Sequence, residues 1–246
     1  MLLLVKLNMK KNILNDGSVS NRFDAVKVSK TFQRICNNFR LGEKKVLDLG
    51  CAYGEHLVLF GTGSVGVTVS DEEVDYGIRE GLPIVKGNVE YIDTLFTSEK
   101  FSTVWANNLF EHLLAPHVFL MKLKEVTEKE GTLLLGVPVV PRIATLMRLR
   151  RFRGALSVAH TNFFTRETLR LTVERGGWRV VDTRPFWTTV APLDRLLGFI
   201  APHLYIVAQN DASFSYDEKK VKEWSDDSRY SELLARGSAR PVTLDK

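Results

Sequence analysis

Cysteine is scarce: Cys36 and Cys51 are the only two in 246 residues, too few for a disulfide framework, which points to a reducing, cytoplasmic setting. Long apolar runs are missing too. The opening Met1 to Val5 stops at Lys6 without a cleavage-site pattern, so it reads as neither signal peptide nor membrane span. No zinc-type cluster of cysteines occurs, which predicts no metal. The glycine pair Gly50 and Gly54 does not have the G-x-G-x-x-G spacing of dinucleotide enzymes. A single basic patch, without a second basic face or an aromatic stacking platform, argues against nucleic acid as a partner. The net charge of +5 is modest. What remains is one α/β domain long enough to bury a full core, predicted over residues 21–209. Residues 1–20 are predicted to be a flexible N-terminus, and 210–246 a charged, partly disordered tail with a short helix near 217–224.

The most informative stretch is Lys45 to Glu55, KVLDLGCAYGE. Val46, Leu47 and Leu49 form a short strand, Gly50 and Gly54 a tight turn, and His56 to Phe60 reads as the helix that follows. Glycines in such a turn let a ligand lie against backbone, and a following helix would aim its free N–H groups at the same place. Asp48 would sit beneath the ligand at the strand's carboxyl end, where open α/β sheets bind. Cys51 reads as a small residue tolerated in the turn, and Cys36 as a core residue.

Strand and helix alternate through the rest. Ala25, Val28, Phe32, Ile35 and Phe39 draw one apolar stripe on a helix starting near Asn21. Further strands are predicted over 64–70, 82–86, 101–106, 132–138, 178–182 and 204–208. Helices are predicted over 71–80, from Pro116 to a stop at Gly131, and over 166–175. This order is that of a parallel sheet with helices on both faces.

The D-x-G-x-x-x-G turn resembles motif I of the class I S-adenosylmethionine-dependent methyltransferases. GVTVSDEEV (66–74) is similar to a GVT-x-S-x-E-E string in their sugar- and small-molecule-directed branch; LFEHL (109–113) and HTNFFTRETL (160–169) follow in the family's order. The resemblance covers roughly 44–209. It implies a Rossmann-like sheet of seven strands, mostly parallel with an antiparallel last strand. It also implies S-adenosylmethionine as cofactor and direct methyl displacement onto a small-molecule or sugar acceptor. Asp48, Gly50, Cys51, Ala52, Tyr53 and Gly54 would line the cofactor, Thr68 and Val69 the ribose and adenine, Asn88 and Val89 the adenine edge, and Asn107, Asn108 and Leu109 the methionine part. Two usual acids are replaced by neutral groups: Thr68 stands at the ribose position and Asn88 at the adenine position. Asp71 and Glu72 are candidate substitutes, although acids in a first turn also complement the helix dipole. No N-P-P-Y tetrapeptide of nucleic-acid methyltransferases occurs.

Two histidines are open to more than one reading. His160, and after it His112, could take a proton from an acceptor hydroxyl; His112 could equally cap a helix or bond a backbone carbonyl. A basic amphipathic insertion, 139–160, carries Arg142, Arg148, Arg150, Arg151 and Arg153 without an acid. It could be a solvated helix, a contact for an anionic membrane surface, or a phosphate-binding lid. A second, apolar insertion, 185–203, could wall a substrate pocket, bury a homodimer face or touch a bilayer, leaving a peripheral position at the inner membrane open. Two other functions remain at this stage: a lipid- or isoprenoid-directed methyltransferase, and a binding protein that kept the fold without catalysis.

Overall fold

The computed structural model describes residues 17–225. Residues 17–28 are helical (α1), and Ser29 breaks the helix and caps the next, α2 (Lys30–Phe39), accepting from Phe32 N–H. The single stripe expected from Asn21 is therefore two helices. Ala25 and Val28 face solvent, and the buried face runs through Val19, Phe32 and Ile35. The cap at Ser29 resets the helical phase, so the spacing across it carries no information.

Seven strands follow: β1 (Val46–Leu49), β2 (Val65–Thr68), β3 (Ile84–Lys86), β4 (Phe101–Asn107), β5 (Thr127–Pro138), β6 (Trp178–Arg184) and β7 (His203–Asn210). They form one sheet in the order β3-β2-β1-β4-β5-β7-β6, with β7 antiparallel to both neighbours, as expected. α3 (Asp71–Glu80), α4 (Ile92–Leu95), α5 (Pro116–Glu125), α6 (Arg166–Arg175) and α7 (Ala191–Leu197) complete the domain, and α8 (Glu218–Ser225) lies near the predicted tail helix. Residues 1–16 and 226–246, which hold most of the predicted flexible ends, lie outside the described residues.

The alternation of side chains along the strands builds two cores, one on each face. Leu47, Leu49, Val104, Ala106, Leu133, Leu135, Leu204 and Ile206 pack on one face, with α5 and α6 supplying Phe119, Leu120, Leu123, Leu169 and Val173. Val46, Trp105, Leu134, Tyr205 and Val207 point to the other and meet Phe32 and Ile35 of α2. Because the central strands are apolar toward both sides, they cannot lie at a solvated edge. The chain leaves β1 toward β2 and β3 in one direction and returns to β4 on the other side, which opens a crevice at the carboxyl ends of β1 and β4.

Three expectations are corrected. The segment after the glycine turn is a single 3-10 turn, Leu57–Leu59. Gly61 N–H bonds the carbonyls of Leu41 and Lys44, and a Cβ there would lie 2.6–2.8 Å from the Glu43–Lys44 backbone, so the chain is pulled back to β2 before a helix can extend. Gly131 does not close α5: that helix ends at Glu125, and Gly131 lies within β5, where a Cβ would meet Thr127 Cγ2 at 2.7 Å. The arginine-rich insertion is no continuous helix but three short 3-10 turns, Ala144–Arg148, Arg150–Phe152 and Gly154–Leu156. Arg153 folds back onto the carbonyl of Met147 at 3.1 Å and so fixes the loop. Among the described residues, no helix is long and apolar enough to cross a membrane.

Candidate active site

The glycine turn is hung from β2. Gly50 and Cys51 N–H both bond Val67 carbonyl, at 2.9 and 3.1 Å, and Gly54 N–H closes the turn on Cys51 carbonyl at 2.9 Å. Gly50, Ala52 and Gly54 have φ of 69°, 48° and 87°, a left-handed run that favours glycine. Gly50 is exposed, and a Cβ on it would stand 3.2 Å from Leu109 Cδ1, so the turn and the end of β4 approach each other here. Gly54 differs. It is buried, and its Cβ would strike Leu82 and Ile84 at 3.1 and 3.3 Å, so its bareness serves packing against β3. Cys51 also turns inward, its Sγ filling the space beside Gly66, and burial, with Asp48 second, pushes its thiol far above the usual range. It contributes backbone to the turn and no nucleophile.

Asp48 is buried beneath the turn with Oδ2 unpartnered. Loss of water, and then the neighbouring Glu55, hold its carboxyl well above the ordinary carboxylate value. Glu55 is itself buried and receives Arg22 Nη2 and Nε on one oxygen at 2.7 and 3.0 Å, leaving Oε2 unpartnered. Arg22 also lies over the Tyr53 ring at 5.4 Å, and Phe23 meets Tyr76 at 6.1 Å. Thus α1 drapes over the rim formed by Tyr53 and Tyr76, whose rings stack edge-on at 5.3 Å.

At the end of β2, Thr68 is buried and its hydroxyl donates to the carboxylate of Glu73, while Val69 is 66% exposed. The three acids opening α3 have separate partners: Asp71 pairs with Lys86, Glu72 accepts from the Tyr53 hydroxyl at 3.1 Å, and Glu73 reaches back to Thr68. Neither sequence candidate, Asp71 nor Glu72, meets Thr68. Beyond β3, Asn88 is exposed and its Oδ1 accepts from Glu90 N–H at 2.9 Å, leaving one lone pair and its amide for a ligand, whereas Val89 is buried in the core. At the end of β4, Asn107 Oδ1 is buried and unpartnered, and the next residue, Asn108, adopts φ 53° and accepts from His203 Nε2 at 2.9 Å.

Two histidines from distant segments meet at the turn after β4. His112 follows β4, His160 follows the arginine-rich insertion, and their rings lie 4.7 Å apart, edge-on. His112 Nδ1 is 3.0 Å from Ala159 carbonyl and His160 Nδ1 is 3.2 Å from Ala155 carbonyl. Both backbone bonds favour the structural reading of His112 at that nitrogen. Both Nε2 atoms turn toward Glu111, whose carboxyl is raised by burial and lowered by its own backbone N–H and then by the two histidines. A cleft of about 650 Å³ between α1, α2 and the turn leading into β1 lies at the other end of the strands, and none of its lining residues holds an orphaned polar atom.

A family model described as a methyltransferase domain matches residues 21–183, two thirds of the chain. The chain belongs to that family. This methyltransferase resembles in fold a SAM-dependent methyltransferase from Archaeoglobus fulgidus, at 16% identity over 75% of this chain and 97% of that one, with a TM-score of 0.53. It resembles one from Clostridium acetobutylicum at 10% identity over 84% and 100%, with a TM-score of 0.56, and one from Thermotoga maritima at 16% over 79% and 96%, with a TM-score of 0.53. No curated protein matches it in sequence.

S-adenosyl-L-methionine is accordingly the cofactor of this methyltransferase, and the residues fit it. A bare, exposed Gly50, an orphaned Asp48 oxygen below it and an open Val69 beside it form a place where a ligand rich in donors would find acceptors. Sequence reasoning missed Arg22, Glu55, Glu73, Glu111 and His203. Glu73 had a signal: Ser70-x-x-Glu73 is the spacing of a capping box, which brings the third helical residue back over the strand end. Glu111 had a weaker one, an acid adjacent to His112. For Arg22 and His203 the sequence carried none.

Proposed function

We propose that this enzyme moves a methyl group from S-adenosylmethionine to a small-molecule or sugar acceptor. The observation that carries the reading is the orphaned carboxylate of Asp48, buried under an exposed, left-handed glycine turn at the carboxyl end of β1. A buried acceptor without a donor costs about 1–3 kcal/mol in the free protein, a cost that a hydrogen-bonding ligand removes. The cofactor supplies an electrophilic methyl group on a positively charged sulfur. Asp48 and the Gly50–Ala52 backbone hold it in place, and Thr68 with Glu73 replaces the acid usually found at the ribose. Glu73 provides the charge and Thr68 fixes its carboxylate at the strand end. Alignment of an activated donor supplies most of what the reaction needs. For a hydroxyl acceptor, the cluster of Glu111, His112 and His160 is where the proton leaves.

Asp48→Asn tests the reading. The amide keeps the shape without the buried charge, so the free protein should be more stable by about 1 kcal/mol or more, while affinity for S-adenosylhomocysteine should fall about tenfold by calorimetry. An unchanged affinity would remove Asp48 from the site. A second reading, a lipid-linked acceptor, is favoured by the exposed Ile143, Leu149, Leu156, Leu196 and Ile200 near the exposed Arg148, Arg150 and Arg151. Arg142 and Arg166 both lie over Phe199, which joins the two insertions. Flotation with anionic but not neutral liposomes is its expected sign.

A further inference from the structure

Glu111 is 1% exposed, and neither of its carboxylate oxygens has a hydrogen-bond partner from another residue. Two imidazole nitrogens face it: His160 Nε2 at 3.9 Å and His112 Nε2 at 4.0 Å from Oε1. The tautomers follow from the opposite sides of the rings. A carbonyl oxygen can only accept, so the Nδ1 atoms facing Ala155 and Ala159 carry the hydrogens, and in the neutral tautomer each Nε2 turns a bare lone pair toward Glu111. Three electron-pair donors thus converge with no hydrogen between them. Protonating a ring does not resolve the geometry, because 3.9–4.0 Å is too long for an N–H to bond the carboxylate.

We propose that Glu111, His112 and His160 bind a divalent first-row transition-metal ion through one carboxylate and two imidazole Nε2 atoms, its remaining positions open to oxygen atoms of the acceptor. One atom from each residue can be chosen so that all lie within 4.8 Å of one another. Ligand bonds of about 2.0–2.2 Å around a tetrahedral ion put neighbouring donors about 3.4 Å apart, so closing the site needs the carboxylate and each imidazole to approach by about half an ångström and no donor pair to approach by more than about 1.4 Å. The Nδ1 bonds to backbone carbonyls are the outer-shell contacts that aim a ligating histidine. Imidazole and carboxylate without sulfur suit zinc, iron, cobalt or manganese.

The site is also built in advance. Thr161 and Asn162 N–H both donate to Glu111 carbonyl at 3.0 Å, and Asn162 Nδ2 donates to Leu113 carbonyl at 2.6 Å. These bonds fasten the His160 segment to the turn carrying Glu111 and His112, so the ligands are held by backbone. His112 is 39% exposed in its side chain, which leaves an entry path. Three protein ligands with open positions is the pattern of a working site rather than a closed structural one. An acceptor hydroxyl bound there would release its proton to solvent water, and its oxygen lone pair would take the methyl group while the carbon–sulfur electron pair stays on sulfur. The proposal departs from the metal-free expectation, which rested on the absence of cysteine clusters; these ligands contain no cysteine, and His160 is distant in sequence from the adjacent Glu111 and His112.

The ion's role as an acceptor handle rests on the methyl-transfer reading; the site itself does not. The test is titration of the full chain, stripped by a chelator, with cobalt(II), read by the visible absorption of the bound ion, and with S-adenosylhomocysteine by calorimetry on the same sample. One equivalent of cobalt is expected to bind saturably, to be displaced by zinc, and to be lost in Glu111→Gln and His160→Ala while S-adenosylhomocysteine still binds. His112→Asn, at an exposed position that tolerates change, should weaken cobalt at least about tenfold without altering thermal unfolding. Wild-type protein that binds S-adenosylhomocysteine but takes up no cobalt saturably overturns the metal site. So does equal cobalt uptake by the wild type and His112→Asn. Cobalt binding without S-adenosylhomocysteine binding would sink the methyl-transfer reading and leave the site standing.

Discussion

Replacing Glu73 by glutamine removes one negative charge from the end of β2 and leaves the side chain's shape. In the free protein Glu73 accepts from the buried Thr68 hydroxyl, and the first turn of α3 holds it there because Ser70 caps that helix by accepting from Glu73 N–H. Thr68 by itself can give a ribose only a neutral acceptor. Hydrogen bonds to a charged group contribute about 1.5–3 kcal/mol against about 1 for a neutral one, so the exchange should cost about 1–2 kcal/mol of cofactor binding. That corresponds to about a 5- to 30-fold rise in the dissociation constant for S-adenosylhomocysteine. Some helix stability is lost as well, about 0.5 kcal/mol from the dipole, and calorimetry separates the two because it measures only the folded fraction. Asp71→Asn is the control: its carboxylate is exposed and paired with Lys86, and the affinity should stay within about twofold. If Glu73→Gln binds as tightly as the wild type, Glu73 is only a helix-capping acid and the proposed replacement of the ribose acid is wrong.

Ala52 holds φ 48° in the turn, where an L side chain costs about 1–2 kcal/mol; after the extra chain entropy of glycine, Ala52→Gly should stabilise by up to about 1 kcal/mol. Urea unfolding reads this directly, and a clear loss of stability would show that the methyl group of Ala52 packs more tightly than its backbone strains. His56 lies against Phe32 and Trp105 at 4.7 and 5.4 Å, and burial lowers it to about 4 from an ordinary 6.5. Between those values the unfolded chain binds a proton that the folded chain refuses, so this contribution is complete above pH 6.5 and is lost as pH falls toward 4. The wild type should therefore weaken relative to His56→Phe over that window. Parallel denaturation curves for the two proteins at pH 7 and pH 5 would refute it.

The sheet was legible because its information is local. Short apolar runs in Val46–Leu49, Phe101–Asn107 and Leu204–Ala208, acid-started Asp71–Glu80 and the glycine turn each report backbone geometry within a few neighbours, and short-range sterics and burial enforce them. The turn's location, Asp48 beneath it and the strand ends at 68, 88 and 107 follow from the same signals. Two local readings failed for tertiary reasons: the helix after Gly54 was cut short by Gly61 bonding into the segment before β1, and the arginine-rich insertion broke into turns that Arg153 folds on themselves. The chemistry of the site was the less legible part. Arg22 meets Glu55 across 33 positions, and His203 meets Asn108 across 95. His160 reaches the turn of Glu111 only because Thr161 and Asn162 bond its backbone. Sequence by itself determined which segments become strands and where the chain turns. Tertiary structure alone decided which charges are buried, which find partners and which are left converging without one, because the desolvation and electrostatics that set those fates depend on groups the sequence keeps far apart.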